Sequence, residues 1–133
     1  MSETIVIIDD DRAIALLTSL WVKAAGFNTI IANDGRGGLD AIARHRPDLV
    51  LLDIRMPEMD GFEVNRQLRQ TPELAEIPVI FLSAHAQETT RQESLASGGR
   101  CFLPKPYEVK SLITAIHTVL KGVVSPEKIH ANN

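Results

Sequence analysis

The chain has 133 residues, 44% of them hydrophobic, a formal net charge of −3 and one cysteine, Cys101. That is the size and apolar content of one ordinary globular domain. A lone cysteine excludes an internal disulfide and a multi-cysteine metal site, no basic stripe points to nucleic acid, and no apolar stretch nears the roughly 18 residues of a membrane helix. The opening MSETIVIIDDD lacks a basic region followed by an apolar segment of signal-peptide length, so the expectation is a soluble cytoplasmic domain without direct nucleic-acid or membrane binding.

Two periodicities alternate along the chain. Residues 4–9 (TIVIID) form a short β-branched run and predict a buried strand. Residues 12–25 switch to helical spacing, with Ala13, Ile14, Leu17, Leu20, Trp21 and Ala24 expected on the inward face and Gly26 as the stop. A second strand is predicted at 28–32 (NTIIA). A weaker helix follows at 35–46, with Leu39, Ile42 and Ala43 inward and Pro47 beyond it. The glycine-rich DGRGG at 34–38 matches neither dinucleotide nor P-loop spacing and reads as a loop. Strand three is predicted at 48–53, a modest helix at 61–70 and strand four at 78–83 (PVIFLS). A mostly polar helix is predicted at 87–97, with only Leu95 and Ala96 to hold it down. A short fifth strand at 101–103 and a last helix at 108–121 complete the series. In that helix Val109, Leu112, Ile113, Ile116, Val119 and Leu120 are in register, and Gly122 follows as a cap.

Strand and helix alternating five times imply an α/β fold, a (βα)5 parallel sheet covered by helices on both faces. Strands covered on both sides need no polar alternation, which accounts for the continuous apolar runs. The expected domain spans residues 1–122, and 123–133 read as a C-terminal tail or the start of a linker.

Open parallel sheets carry their functional crevice beyond the carboxyl ends of the strands. Strand one ends at Asp9, Asp10 and Asp11, strand three at Asp53, strand four at Ser83, and strand five near Pro104, Lys105 and Pro106. Carboxylates gathered on one rim repel, and a hard divalent cation relieves that repulsion. Mg²⁺ typically takes one or two carboxylates, keeps waters and completes its shell with phosphate oxygens. Lys105 suits an incoming anion, Ser83 can donate to the same anion, and Asp53 stands between them as the candidate nucleophile for a phosphoryl group.

IVIIDDD, LLDIRMPEMDG, FLSAH and FLPKPY, in that order and at these spacings, resemble the receiver domain of bacterial two-component response regulators, over residues 4 to about 121. The resemblance implies a flavodoxin-like, doubly wound sheet of strand order 2-1-3-4-5. It implies that Asp9 and Asp10 are the acidic pair that holds Mg²⁺, Asp10 the more direct ligand. Asp53 is then the phosphoacceptor and a further ligand, and the backbone carbonyl of Arg55 completes the protein's share of the metal shell. Ser83 becomes the switch hydroxyl, Lys105 the contact to the phosphoryl group, and Lys105–Pro106 a cis peptide. Phe102 matches the aromatic that changes rotamer on activation; that position is often Tyr in the family, so the phenolic hydrogen bond is absent here. A sensor histidine kinase or histidine phosphotransfer protein is the implied donor, and an effector domain or protein the implied target. The output face would be the 87–97 helix, strand five and the last helix; a phosphorylation-dependent homodimer is left open. The domain is then not an enzyme in the ordinary sense but a switch that assists its own phosphorylation and dephosphorylation.

Each residue also has a plainer reading. A lone Asp at a strand end is usually solvated, and only the matching set promotes Asp53, Ser83 and Lys105. Asp11 reads as a helix cap, Asp60-Gly61 as a turn and at most a helix cap, and His45, His85, His117 and His130 as structural or exposed. Two rivals compete. A Mg²⁺-dependent phosphatase of the haloacid dehalogenase type would carry a second Asp where this chain has Arg55, and usually a cap domain. A flavin-binding domain would need a hydroxyl-rich loop after strand one, where three acids would repel phosphate.

Overall fold

The computed structural model describes residues 2–84 and 88–122; His85, His130, the first residue of the 87–97 helix and the 123–133 tail lie outside the described residues. Five strands, β1 (Thr4–Ile8), β2 (Asn28–Ala32), β3 (Leu49–Asp53), β4 (Val79–Ser83) and β5 (Cys101–Pro104), alternate with α1 (Arg12–Ala24), α2 (Gly35–His45), α3 (Gly61–Gln70), α4 (Glu88–Ala96) and α5 (Val109–Leu120). All neighbouring strands pair parallel, in the order β2-β1-β3-β4-β5. The doubly wound α/β expectation is thus met, and every predicted strand and helix is present with ends shifted by a residue or two. Among the described residues, no helix is long and apolar enough to cross a membrane.

Successive strand residues point to opposite faces, and both faces are covered. Ile5, Ile7, Leu49, Leu51, Ile80, Leu82, Cys101 and Leu103 pack with Ala15 and Val22 of α1 and with Leu112, Ala115, Ile116 and Val119 of α5. Val6, Ile8, Val50, Leu52, Val79, Phe81 and Phe102 pack with Ile42 of α2 and Val64 and Leu68 of α3. Each apolar run therefore feeds two cores at once and stops where the covering helices stop.

The inward face of α1 differs from the predicted one. Ala15, Thr18, Ser19 and Val22 are buried, while Leu16, Leu17 and Leu20 are 56%, 46% and 53% exposed and Ala13 and Ala24 face solvent. Two long-range hydroxyl pairs explain the inversion. Thr18 Oγ1 lies 2.7 Å from Tyr107 Oη, and Ser19 Oγ 2.7 Å from Thr29 Oγ1. Hydroxyls paired in this way escape the penalty of burying a free polar group, so small residues can bring the helix close to the sheet. Exchanging Leu20 for Glu is accordingly expected to change stability by less than about 0.5 kcal/mol, as at any exposed site. Val22→Ala is expected to cost about 2 kcal/mol through lost burial and a cavity. Urea unfolding of the two variants tests this; a large loss for Leu20→Glu would restore the predicted face.

Three smaller corrections follow from packing. Ala43 is exposed, and only Ile42 of its neighbours is fully inward. DGRGG is no loop: Asp34 caps α2 through Gly37 N at 2.6 Å, and the glycines form the helix's first turn. A Cβ on Gly38 would lie 2.4 Å from Cδ1 of Ile8, so its missing side chain lets α2 approach β1. Among the described residues of α4, Ser94 is fully buried, its hydroxyl donating to the Thr90 carbonyl at 2.8 Å, whereas Ala96 is exposed. Just past the helix, the Ser97 carbonyl accepts from Asn65 Nδ2 of α3 at 2.7 Å. This polar contact ties the end of α4 to α3.

Candidate functional site

The sheet brings the ends of β1, β3, β4 and β5 to one rim. Asp9 follows β1 and is 1% exposed, Asp53 ends β3 and is 3% exposed, and Asp10 is exposed beside them. Carboxylate oxygens of the three lie within 4.8 Å of one another. Asp11 is set apart from them: its Oδ1 caps α1 by accepting from Ala13 N and Ile14 N at 3.1 Å each. Its own N–H donates to Asp9 Oδ1 at 3.0 Å, which ties the start of α1 to the rim. Asn33 Nδ2 donates to the Asp9 carbonyl at 3.0 Å from the end of β2.

Lys105 enters from the end of β5. Its N–H donates to the Ser83 carbonyl at 2.7 Å, and the following peptide to Pro106 is cis, as the resemblance implies. The ammonium Nζ donates to Asp9 Oδ2 at 2.8 Å and stands 3.3 Å from Asp53 Oδ1. That second approach is close enough for an ion pair but not aligned as a hydrogen bond, and Asp53 Oδ1 is buried without a hydrogen-bond partner. Burial pushes the Asp53 carboxyl up to about 6; the Lys105 charge opposes this, and the Asp9 and Asp10 charges add to it. Burial alone would lower the Lys105 ammonium, but its bond to Asp9 and the charges of Asp53 and Asp9 outweigh that and raise it. The two shifts are compatible because the ammonium is aimed at Asp9, which leaves Asp53 undercompensated.

Ser83 is fully buried at the end of β4, in register with Pro104 and one strand from Asp53. Arg55 follows in the β3–α3 loop with its side chain exposed. Phe102 is also buried, in register with Phe81. Its side chain belongs to the apolar cluster that Phe81 forms with Val64 and Leu68 of α3.

The pair Asp60-Gly61 reads in the sequence as a turn or a helix cap, and the cap is what the structure has. Asp60 caps α3 by accepting from Glu63 N at 2.9 Å, and Gly61 N donates to the Ile54 carbonyl at 2.8 Å. A Cβ on Gly61 would lie 2.5 Å from the Asp53 carbonyl oxygen and 2.9 Å from Ile54 Cα. Only glycine lets α3 start against the end of β3. The legible signal is an Asp-Gly that opens a helix shortly after an apolar strand ending in Asp.

The acidic set tests whether a divalent cation fits here. Three carboxylates within reach of one point, one of them with a buried unsatisfied oxygen, form an oxygen-rich donor set with an electrostatic need for positive charge. Lys105 supplies part of that charge from one side only.

A doubly wound five-stranded parallel sheet with this rim of aspartates and one lysine is the arrangement of a class of signalling domain. The family model of the response regulator receiver domain matches residues 5–117, and the chain belongs to that family. It is 37% identical over 121 residues to the response regulator MprA of Mycolicibacterium vanbaalenii, covering 91% of this chain and 52% of that protein. The MprA of Mycobacterium leprae is 37% identical over 117 residues, with 88% and 50% covered. The chain thus spans about half the length of the curated relatives it matches. Among solved structures, the Francisella response regulator 1452 receiver domain superposes with a TM-score of 0.85 at 30% identity, covering 92% of this chain and 99% of that one. The chemotaxis protein CheY4 of Vibrio cholerae gives 0.84 at 27%, covering 90% and 99%. An aspartate-nucleophile phosphatase is not favoured: no second carboxylate follows Asp53 where that chemistry needs its acid, since Arg55 stands there.

Proposed function

We propose that Asp53 accepts a phosphoryl group from a phosphohistidine on a sensor kinase or histidine phosphotransfer protein, and that the modified domain then acts on an effector. The observation that supports this reading most is the buried Asp53 carboxylate with an oxygen that accepts no hydrogen bond, 3.3 Å from the Lys105 ammonium and grouped with Asp9 and Asp10. An Asp53 oxygen attacks phosphorus, the P–N bond of the donor breaks, and its electron pair returns to the imidazole ring. Phosphoryl transfer asks little covalent help of a protein; it asks for alignment and charge neutralisation. Lys105 meets the charge of the arriving group as a mobile ammonium, and the Ser83 hydroxyl is a second donor to it. Asp9, Asp10, Asp53 and the Arg55 carbonyl are the residues that would hold Mg²⁺, whose charge offsets the oxygens of the phosphoryl group and the carboxylates together.

The same rim serves hydrolysis of the acyl phosphate, so the domain assists its own dephosphorylation. Ser83 and Phe102 are the proposed switch residues, acting on α4, β5 and α5 as the output face. The receiver unit is assigned to residues 1–122, with 123–133 as tail or linker, in a cytoplasmic protein. Phosphorylation adds charge at one point of the rim, which biases elements packed beside it and not the whole fold.

With a small phosphodonor such as acetyl phosphate, the mass of the intact protein is expected to rise by one phosphoryl group when Mg²⁺ is present and to stay unchanged in excess EDTA. Asp10→Asn is expected to raise the Mg²⁺ concentration needed for half-maximal labelling by about tenfold or more, the effect of losing one charged ligand. Labelling at full rate in EDTA would refute the metal assignment.

A further inference from the structure

Tyr107, in the turn between β5 and α5, takes no part in the chemistry described above. It is half-buried, and its Oη lies 2.7 Å from Oγ1 of Thr18 on α1, 89 residues away in the chain. Its ring stands edge-on to Trp21 of the same helix, the centroids 6.4 Å apart and the planes at 76°. Thr18 itself is buried on the face of α1 that meets the sheet. A hydroxyl in such a place needs a partner, and Tyr107 is that partner.

The turn that carries Tyr107 is otherwise loosely held on its α5 side. Glu108, the cap residue of α5, makes no side-chain cap hydrogen bond, and Pro106 has no N–H to donate. On the other side the Lys105 backbone is fixed to the Ser83 carbonyl at 2.7 Å. Among the described residues of this turn beyond Lys105, Tyr107 is the one whose side chain hydrogen-bonds to another element.

The connections close a circuit. Asp9 Oδ1 accepts from Asp11 N, and Asp11 caps the first turn of α1. The helix carries that register rigidly to Thr18. Thr18 meets Tyr107, the chain steps back through Pro106 to Lys105, and Lys105 Nζ returns to Asp9 Oδ2 at 2.8 Å. A lysine is a point charge on a flexible four-carbon stem. Where its ammonium stands depends on where the base of the stem is fixed.

We propose that Tyr107 is a positioning residue for Lys105: its hydrogen bond to Thr18 braces the Lys105–Tyr107 turn against α1 and sets the ammonium beside Asp53. The proposal rests on the reading of Asp53 as phosphoacceptor. Tyr107 touches no reacting atom; it acts through Lys105, and α1 becomes a mechanical part of the site.

Three substitutions in the intact chain separate this from a general packing role. Tyr107→Phe keeps the ring and its Trp21 contact and removes only the hydroxyl. Thr18→Val removes the other half of the bond at nearly constant volume. Lys105→Met removes the ammonium. The first readout needs no phosphodonor: the ε-methylene NMR signal of Lys105, assigned by its loss in Lys105→Met. Tyr107→Phe and Thr18→Val are each expected to move it toward the position of exposed lysines such as Lys23. The second readout is the rate of Asp53 labelling by acetyl phosphate in saturating Mg²⁺. Each single variant is expected to be slower by roughly three- to tenfold, a fraction of the roughly hundredfold that a misplacement of about 1 Å produces. In the Lys105→Met background the same substitutions are expected to change the rate by less than about twofold, because the brace then has nothing to hold. Equal slowing in both backgrounds overturns the proposal, as does an unchanged rate in both single variants. If wild type takes no phosphoryl group, the phosphoacceptor reading has failed, and the Lys105 signal alone decides the brace: unmoved in both variants, it refutes it.

Discussion

Replacing Asp53 with asparagine is expected to stabilise the metal-free protein, by about 3 kcal/mol near neutral pH and by little below about pH 4. The reason is the cost of ionising a buried carboxyl. Burial raises Asp53 from the ordinary 3.8 to about 6, so the folded chain binds this proton more tightly than the unfolded chain does. Stability from this group therefore falls as pH rises through the window between those values and levels off above it. A tenfold change in proton affinity corresponds to about 1.4 kcal/mol, which makes the difference across this window about 3 kcal/mol. Asparagine does not titrate and removes one of three mutually repelling charges. Urea unfolding in EDTA across pH 3.5 to 8 measures both curves: wild type is expected to lose ground to Asp53→Asn as pH rises. Mg²⁺ far above its Kd should then reverse the order, since a cation bound only by the folded state stabilises it by an amount that grows with the logarithm of its concentration over Kd. Parallel pH curves for the two proteins would contradict the account of the rim.

The second large effect is expected at a residue with no side chain. Gly61→Ala places a methyl group 2.5 Å from the Asp53 carbonyl oxygen and 2.9 Å from Ile54 Cα. Both obstacles are backbone, so no rotamer change relieves the clash. Either α3 withdraws or the end of β3 is displaced, at a cost of about 1–3 kcal/mol, the usual range for overpacking. The displaced residue is Asp53, so labelling is expected to slow by roughly ten- to a hundredfold, because transfer depends on alignment to within about 1 Å. Urea midpoint and labelling rate are to be measured on the same sample. Wild-type values for both would show that the junction is looser than the geometry implies.

Much of this was legible in the sequence, and the parts that were not share a cause. The strands were visible because both their faces are covered, which makes each an unbroken apolar run. The rim was visible because those runs end abruptly in Asp9, Asp53 and Ser83, with Lys105 one residue past the last strand, and the sheet's geometry gathers strand ends. Helix faces were less legible. On α1 the leucines are the more apolar candidates, yet Ala15, Thr18, Ser19 and Val22 face the sheet. What decides this is the pairing of Thr18 with Tyr107 and of Ser19 with Thr29. Neither pairing has a local signature, because a hydroxyl's partner is chosen by the fold and not by spacing. Gly61 and Gly38 escape notice for a related reason: a glycine needed for close approach looks like any other until the opposing backbone or side chain is in place. Phe102 stands out in the sequence as a position of interest, but its buried orientation follows from its register with Phe81.

The most direct test of the central claim is the intact mass of wild type and Asp53→Asn after exposure to acetyl phosphate and Mg²⁺. The account predicts one added phosphoryl group on wild type and none on Asp53→Asn, with the asparagine protein folded and, in EDTA near neutral pH, at least as stable as wild type. Equal labelling of the two proteins would contradict it.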